Sequence, residues 1–214
     1  MMTDALSLSQ KMMMKSALAT ILVSTAAVLK ADAGALKLTI LSMNDHHSNL
    51  DADDHDLTVS DATTKAVTGE SVNVKLGGFP MTVAGMSALT TSEEAAGQSV
   101  IKLHAGDVMT GGAYYSWFKG TADAKMMQHA CFHAMVIGNH EFDDGDQNLA
   151  TFIDNVSDTA VCATGTKVLS ANVVAGASSP LQNKYAKSHV FILAGESVGV
   201  VGVTIKRKTM ESSF

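Results

Sequence analysis

Three short polar clusters in this 214-residue sequence contain side-chain types that bind divalent cations. They are residues 44–50 (NDHHSNL), 106–112 (GDVMTGG) and 138–143 (GNHEFD). Their ligand atoms are carboxylate and amide oxygens together with imidazole nitrogens, a set that suits Mn, Fe, Co or Zn better than Ca or Mg alone. The residue types therefore indicate metal-assisted chemistry. The clusters lack the G-K-[ST] ending of a phosphate-binding P-loop.

The spacing within the first two clusters favours shared metal binding. Asp45 and His47 are two residues apart, so on an extended backbone both side chains point the same way and can face one cation. Asp107 is followed by glycines that let the backbone turn tightly, which can hold its carboxylate between two cations. Each cluster alone has an ordinary alternative, since Asp45 can cap a loop and Asp107 can belong to a β-turn.

The third cluster adds a neutral oxygen ligand and a histidine–carboxylate pair. Asn139 offers its amide oxygen to a cation, and the adjacent His140 can act beside the metals without binding them. Asp143 lies three residues further on, where its carboxylate can accept a hydrogen bond from the imidazole, fix the ring and favour its protonated form. A lone histidine is often structural, but Gly-Asn-His-Glu after an apolar run is a much rarer pattern.

Apolar runs precede all three clusters, which predicts that each cluster follows a strand. Strands are expected at residues 36–43, 99–103, 134–137 and 168–174, and a hairpin at 189–193 and 198–205. Helices are expected at 79–88, 121–130 and 146–156, whereas residues 51–69 are interpreted as a solvated loop. Strands that alternate with helices favour an α/β fold with a parallel or mixed sheet covered by helices. Sites in such folds form beyond the carboxyl ends of the strands.

The first 35 residues have the pattern of a targeting segment. Residues 16–29 carry no charge, Lys11 and Lys15 precede them, and the small residues at 31–35 are typical of a cleavage site. The pattern predicts a signal peptide at 1–35, because the apolar run is shorter than the roughly 20 residues of a membrane span. The alternative is an uncleaved anchor or a buried helix. A secreted, periplasmic or extracellular location follows, without a stable membrane span.

Cysteine content and charge limit the pairings and partners of the protein. Export permits a disulfide, and Cys131 and Cys162 allow one intramolecular pairing; the alternative is two separate buried side chains. The formal net charge is -6 and no Lys/Arg cluster is present, which argues against binding of a nucleic-acid polymer through a basic face. A small phosphorylated substrate remains compatible if metal ions supply positive charge.

The motifs D-x-H (45–47), G-D-x-x-x-G (106–111) and G-N-H-E (138–141), in this order at strand ends, resemble the calcineurin-like metallophosphoesterase superfamily. The longer matches, including N-D-H-H-S-x-L, G-N-H-E-F-D and L-S-A-N-V, resemble its secreted 5′-nucleotidase family, which includes UDP-sugar hydrolases. The resemblance implies an α/β fold of the four-layer α-β-β-α sandwich type, with mixed sheets covered by helices. Residues 36–214 would form its N-terminal part, without the C-terminal part and the substrate-binding domain.

The resemblance also implies a role for each polar position. The metal ligands are Asp45, His47, Asp107 and Asn139, and the catalytic residues are His140 and Asp143. Asp45 and His47 would hold the first of two divalent cations and Asn139 the second. Asp107 would bridge both cations, whose identity among Mn, Zn, Co, Fe and Mg is open. The implied reaction is hydrolysis of nucleotide phosphoesters by a water that the two metals activate, with protonated His140 near the phosphate.

Two other functions remain open at this point. A related phosphoesterase would act on 2′,3′-cyclic nucleotides, UDP-sugars or a sulfur-carrier thioester-like group, and a non-catalytic secreted binding protein would retain an incomplete site. The resemblance implies further histidine ligands in a G-H-x-H or G-H-x-Q motif, but only His140 and His189 follow Asn139. We therefore expect the 214 residues alone, as a fragment, to be weakly active or inactive and to expose apolar surface.

Overall fold

A computed structural model of the protein describes residues 36–60 and 67–206. The signal peptide predicted at 1–35 lies outside the described residues. The strands are β1 (Leu38–Met43), β2 (Ala52–Ser60), β3 (Val67–Gly77), β4 (Ser99–His104), β5 (Ala134–Val136), β6 (Lys167–Leu169), β7 (Ser188–Leu193) and β8 (Glu196–Val201). The helices are α1 (Phe79–Ala95), α2 (Ala113–Phe118), α3 (Thr121–Ala130) and α4 (Gly145–Ser157), with a 3-10 turn at His140–Phe142.

A parallel sheet brings the three polar clusters to one edge. Its strand order is β1-β4-β5-β6, and Leu38 of β1 pairs with Ser99 of β4, as Met43 does with His104. Because β1, β4 and β5 run in the same direction, their carboxyl ends meet at one edge, where the three clusters follow them. The parallel sheet with its helices confirms the predicted α/β class.

The hydrophobic core lies against the helices that cover this sheet. On α4, the side chains expected from helical spacing to share one face are each at most 1% exposed: Leu149, Phe152, Ile153 and Val156. They belong to the same cluster as Met127 of α3 and Met135 of β5. Burial of each such side chain stabilises the fold by about 1.5–3 kcal/mol, so this cluster supports the strands that carry the site.

The prediction of a solvated loop at residues 51–69 is wrong, because most of that segment is paired as strand. β2 and β3 form an antiparallel hairpin in which Ala52 pairs with Gly77 and Thr58 with Ser71. Leu57 and Val72 in the hairpin are 46% and 49% exposed. Since backbone hydrogen bonds rather than burial hold this ladder, the sequence carries no alternation of buried and exposed side chains that would have revealed it.

Several element boundaries also differ from the prediction. The strand expected at 168–174 is shorter, because the backbone turns away after Leu169 and the Ser170 N–H donates to the Ala186 oxygen instead. α1 is longer than expected, and α2 was not predicted. The hairpin β7–β8 is confirmed, but its turn contains only Ala194 and Gly195, both with positive φ, as tight hairpin turns require.

A disulfide bond cross-links two parts of the fold. Cys131 and Cys162 are joined by a disulfide with their Cα atoms 5.4 Å apart, which links the end of α3 to the segment that follows α4.

None of the helices within residues 36–60 and 67–206 combines the length and apolar character needed to cross a bilayer. Val190, Ile192 and Val201 of the β7–β8 hairpin are exposed apolar side chains.

Candidate metal site at the strand ends

Backbone hydrogen bonds join the loops that follow β1 and β4. The Asp45 N–H donates to the Gly106 oxygen at 3.0 Å, the His47 N–H to the Asp107 oxygen at 3.3 Å, and the Ser48 N–H to the Val108 oxygen at 2.9 Å. The two loops therefore continue side by side beyond the sheet, and this pairing brings the first two polar clusters together.

Three of the expected site residues form a group that fits a metal ion. Ligand atoms of His47, Asp107 and His140 all lie within 4.8 Å of one another. Asp45 lies beside them, with its Oδ1 atom 3.8 Å from Nε2 of His47. One or two carboxylates with imidazoles are the donor set that transition-metal dications prefer, so the chemistry of the group fits the cations that the resemblance implies.

Each imidazole in this group is oriented by its second nitrogen. Nδ1 of His47 lies 3.0 Å from the Met109 carbonyl oxygen, to which it donates, and this leaves Nε2 as the acceptor atom. Nδ1 of His140 lies 2.6 Å from Oδ2 of Asp143, as the sequence interpretation expects. Such partners behind a histidine ring fix its tautomer and orientation in metal sites. The two rings meet edge to face, with centroids 4.9 Å apart.

The remaining expected ligand, Asn139, is located by its backbone. It follows Gly138 and directly precedes His140, and its carbonyl oxygen accepts the N–H of Phe142 at 3.4 Å in the 3-10 turn. The His140 N–H in turn donates to Oδ1 of Asp107 at 2.9 Å. The third cluster is thus attached to the second, while the assignment of Asn139 as a ligand stays a prediction.

Backbone strain is concentrated in these loops. Asp45, His47, Ser48, Asp107 and Thr110 all adopt left-handed conformations, with φ between 45° and 71°. A non-glycine residue in this region costs on the order of 1–3 kcal/mol and persists where surrounding structure enforces it, which is common at functional sites. The concentration of strain at the predicted ligands supports a binding role for the rim that the loops after β1, β4 and β5 form at the edge of the sheet.

The electrostatic surroundings keep Asp45 charged. The Asn44 side-chain amide donates to its carboxylate and is the main cause that lowers the pKa of Asp45. Partial burial acts in the opposite direction, and the neighbouring Asp107 and His47 side chains lower the pKa further. An ionised carboxylate beside the His47 acceptor nitrogen is the state that a cation requires.

Glu141 has a role that the sequence interpretation did not assign. Its side chain is fully buried, and Oε1 accepts the Val108 N–H at 2.7 Å while Oε2 accepts the N–H groups of Asp107 at 3.0 Å and Gly138 at 2.5 Å. Burial raises the pKa of Glu141, and these backbone donors oppose that change. The carboxylate therefore joins the second and third clusters on their buried side. No local signal marked Glu141 as buried, because its chain neighbours are His140 and Phe142 and most of its hydrogen-bond donors belong to a distant loop.

His104, at the end of β4, is a second buried group that the sequence did not single out. Desolvation, with a further contribution from neighbouring His46, lowers the pKa of His104 to about 3. An unfolded chain protonates this residue below about pH 6.5, whereas the folded protein resists protonation until about pH 3. The stability that neutral His104 contributes is therefore present above pH 6.5 and is lost as the pH falls from 6.5 towards 3.

This difference leads to a testable pH dependence. Between pH 6 and pH 4, the free energy of unfolding should fall more steeply in the wild type than in His104→Gln, by up to about 1.4 kcal/mol per pH unit. Glutamine keeps an acceptor and a donor but does not titrate. Urea unfolding followed by circular dichroism at several pH values measures both slopes. Equal slopes would show that His104 does not resist protonation.

Two glycines allow the second and third clusters to approach. A Cβ at Gly106 would lie 2.8 Å from the Cα of Gly138, and one at Gly138 would lie 2.7 Å from Oε2 of Glu141 and would also overlap Asp107. Gly138→Ala should therefore lower the free energy of unfolding by about 1–3 kcal/mol, because the packed backbone cannot move away freely. Urea unfolding measures the change.

Gly85 in α1 provides the matched control for that substitution. A Cβ at this helical position would meet nothing within 4 Å. Gly85→Ala should leave stability unchanged or raise it by about 0.5–1 kcal/mol, because alanine restricts the unfolded chain. Similar losses at both positions would mean that the close contact at Gly138 is not the cause.

The fold and this rim together define an α/β domain with a candidate metal site at the carboxyl ends of parallel strands. The profile of the family described as calcineurin-like phosphoesterase matches residues 38–200, and the chain belongs to this family. The membership confirms the resemblance inferred from the three motifs.

Several longer proteins are similar to this chain. The chain is 37% identical over 185 residues to a probable 5′-nucleotidase of Treponema pallidum, and the aligned region covers 86% of this chain and 28% of that protein. It is 32% identical to human 5′-nucleotidase, over 88% of this chain and 30% of the relative. The structure superposes on that of the Haemophilus influenzae NAD nucleotidase with a TM-score of 0.68 and 34% identity. The superposition covers 82% of this chain and 31% of the nucleotidase chain. The chain thus spans about a third or less of these proteins.

Proposed function

We propose that the protein hydrolyses phosphoesters of nucleotides with the help of two divalent cations. The convergence of His47, Asp107 and His140 within 4.8 Å, with Asp45 next to them, is the observation that carries the proposal. The names of the similar proteins, 5′-nucleotidase and NAD 5′-nucleotidase, support a nucleotide substrate. When bound, the cations would polarise the phosphoester and activate a water for attack.

The residues of this rim have distinct tasks in the proposal. Asp45, His47, Asp107 and Asn139 would hold the cations, with Asp107 shared between them. His140 would face the phosphate with Nε2, while Nδ1 donates to Asp143, which fixes the orientation of the ring. A protonated imidazole at that place stabilises negative charge that develops on phosphate oxygens or donates a proton to the leaving oxygen.

Metal binding and phosphate release test the proposal separately. Isothermal titration with Mn²⁺ or Co²⁺ is expected to show cation binding by the purified protein, and any phosphate release from AMP by these 214 residues should depend on the added metal. AMP, 2′,3′-cyclic AMP and a UDP-sugar should be compared as substrates by chromatography of the products, because hydrolysis of the cyclic nucleotide or the UDP-sugar yields phosphomonoesters and no free phosphate. A protein that binds neither cation would refute the proposal. If the metal-dependent enzyme hydrolyses the cyclic nucleotide or the UDP-sugar but not AMP, that compound class and not nucleoside monophosphates would be its substrate.

We further propose that the protein is exported and loses residues 1–35. The support is the uncharged run at 16–29, with lysines before it and small residues after it. Expression in a bacterial host with a secretory pathway, followed by mass spectrometry of the exported protein, should find a new N-terminus near residues 33–36. An intact N-terminus in the cytoplasmic fraction would contradict this location.

A further inference from the structure

A set of buried polar side chains lies behind the predicted metal ligands. His46 and Ser48 come from the loop after β1, His104 from the end of β4, and Asp123 from the first turn of α3. All four are at most 6% exposed, and Asp123 is fully buried. Polar groups buried to this degree are costly unless they are hydrogen-bonded, so their partners define their role.

The directions of these hydrogen bonds follow from one backbone donor. The Gly106 N–H donates to Nδ1 of His104 at 3.1 Å, so this nitrogen carries no proton. Neutral His104 then holds its proton on Nε2 and donates to Nδ1 of His46 at 3.0 Å. His46 in turn holds its proton on Nε2, which lies 3.3 Å from Oδ1 of Asp123. The chain of donors therefore ends on the Asp123 carboxylate.

Asp123 receives a second donor from the same loop. The Ser48 hydroxyl donates to Oδ2 at 3.0 Å, so both carboxylate oxygens bind the segment that follows β1. The carboxylate also lies in the first turn of α3, where the helix N-terminus favours negative charge. These interactions offset the desolvation of a buried anion.

The segment held in this way is the strained one that carries two predicted ligands. His46 lies between Asp45 and His47 in the chain, and its ring points into the core against the edge of Phe79, with centroids 5.0 Å apart. Asp45, His47 and Ser48 have φ values of 51°, 45° and 55°. Relaxation of this backbone would move both ligand side chains, and hydrogen bonds to Asp123 on each side of His47 oppose that relaxation.

We propose that Asp123 is a positioning residue of the metal site, which acts through His46 and Ser48 to hold the loop that presents Asp45 and His47. The effect of Asp123 on metal affinity rests on the proposed function, whereas the effect of Asp123 on the loop is a property of the metal-free protein. Asp123 itself touches neither metal nor substrate in this role.

Long-range ¹H–¹⁵N NMR of the metal-free protein tests the hydrogen-bond directions without any substitution. Both His46 and His104 are expected as the neutral tautomer with the proton on Nε2. A proton on Nδ1 of either ring would overturn the chain of donors, because that nitrogen would then face another donor.

Amide hydrogen exchange of Asp123→Leu tests the positioning role. Leucine has a similar volume but accepts no hydrogen bond, so exchange at the Asp45, His47 and Ser48 amides should accelerate at least about tenfold. The α4 core amides should keep their protection, which distinguishes a local effect from a general loss of stability. Asp123→Asn retains one acceptor for His46 and should restore most of the protection. Unchanged exchange at the three loop amides in Asp123→Leu would overturn the proposal.

Asp146 offers a matched control carboxylate. It also lies in the first turn of a helix, α4, and accepts a hydrogen bond from Ser179 at 2.5 Å. Asp146→Leu should not change exchange at residues 45–48, and equal acceleration by this variant would contradict a specific role for Asp123. Should Asp123→Leu fail to fold, Ser48→Ala removes one bond to the same carboxylate. It should accelerate exchange of the Ser48 amide about fivefold, and no change would overturn the proposal.

Titration of the same proteins with Mn²⁺ separates the two proposals. Folded Asp123→Leu should bind Mn²⁺ about 10–100-fold more weakly than the wild type, the usual effect of losing an outer partner of a metal ligand. Wild-type protein that binds no Mn²⁺ would refute the proposed function, while the exchange data would still decide whether Asp123 holds the loop. Equal Mn²⁺ affinity of the folded variant and the wild type would overturn the positioning role.

Discussion

Asp107→Asn should weaken Mn²⁺ binding by more than the roughly 10–100-fold expected for the loss of an outer partner of a ligand. The carboxylate belongs to the three-residue group with His47 and His140, and its exchange for an amide removes a full negative charge from the centre of that group. Asparagine keeps an acceptor for the His140 N–H and tolerates the φ of 54° at this position, so the fold should persist. Isothermal titration measures the affinity.

A control for this substitution must change the same charge elsewhere. Asp53 is an exposed residue of β2, so Asp53→Asn makes the same chemical change outside the rim. Its Mn²⁺ affinity should stay within about twofold of the wild type, because exposed charges at a distance are screened by salt. Equal losses in the two variants would mean that Mn²⁺ responds to the net charge of the protein and not to a site at Asp107.

Glu141→Gln should lower the free energy of unfolding by about 3 kcal/mol or more, since each buried donor left unsatisfied costs about 1–3 kcal/mol. The carboxylate accepts N–H groups from Asp107 and Val108 on one loop and from Gly138 on another. Glutamine replaces one of its two acceptor oxygens with an amide nitrogen that faces backbone donors. The substitution therefore loses hydrogen bonds and adds repulsion at the place where the two loops meet.

Urea unfolding and metal titration together test this role of Glu141. Mn²⁺ affinity should fall with stability, because the backbone of Asp107 loses its anchor. Glu196, an exposed residue at the start of β8, provides the matched control. Glu196→Gln should change the free energy of unfolding by no more than about 0.5 kcal/mol. A Glu141→Gln protein as stable as this control would show that the buried carboxylate does not hold the loops together.

The strands that carry the site were predictable, because each is a short apolar run followed by polar residues. β1, β4 and β5 lie within about two residues of their expected bounds, and α3 spans the predicted residues 121–130. Hydrophobic periodicity is a local property, so it can be read without knowledge of the fold. Convergence of His47, Asp107 and His140 followed from one rule, that parallel strands present their carboxyl ends at the same edge.

The β2–β3 hairpin was missed for the opposite reason. Both of its faces carry exposed residues, such as Asp56 on one face and Leu57 on the other, so no burial pattern distinguishes it from a solvated loop. Its stability comes from pairing between Ala52–Ser60 and Val67–Gly77, which depends on the partner strand and not on either segment alone.

The sequence by itself determined which residue types follow each strand and, through their order, the family to which the protein belongs. Only the tertiary structure decided which neighbouring side chains face the rim and which face the core. His46 and Glu141 adjoin the expected site residues, yet both point inward and hold the loops. Their distant partners explain the difference: His46 meets residues 58 and 77 positions away, and Glu141, besides its nearby bond to Gly138, accepts N–H groups from residues 32 to 34 positions away. Such hydrogen bonds form only after packing has brought distant segments together, so no local pattern encodes them.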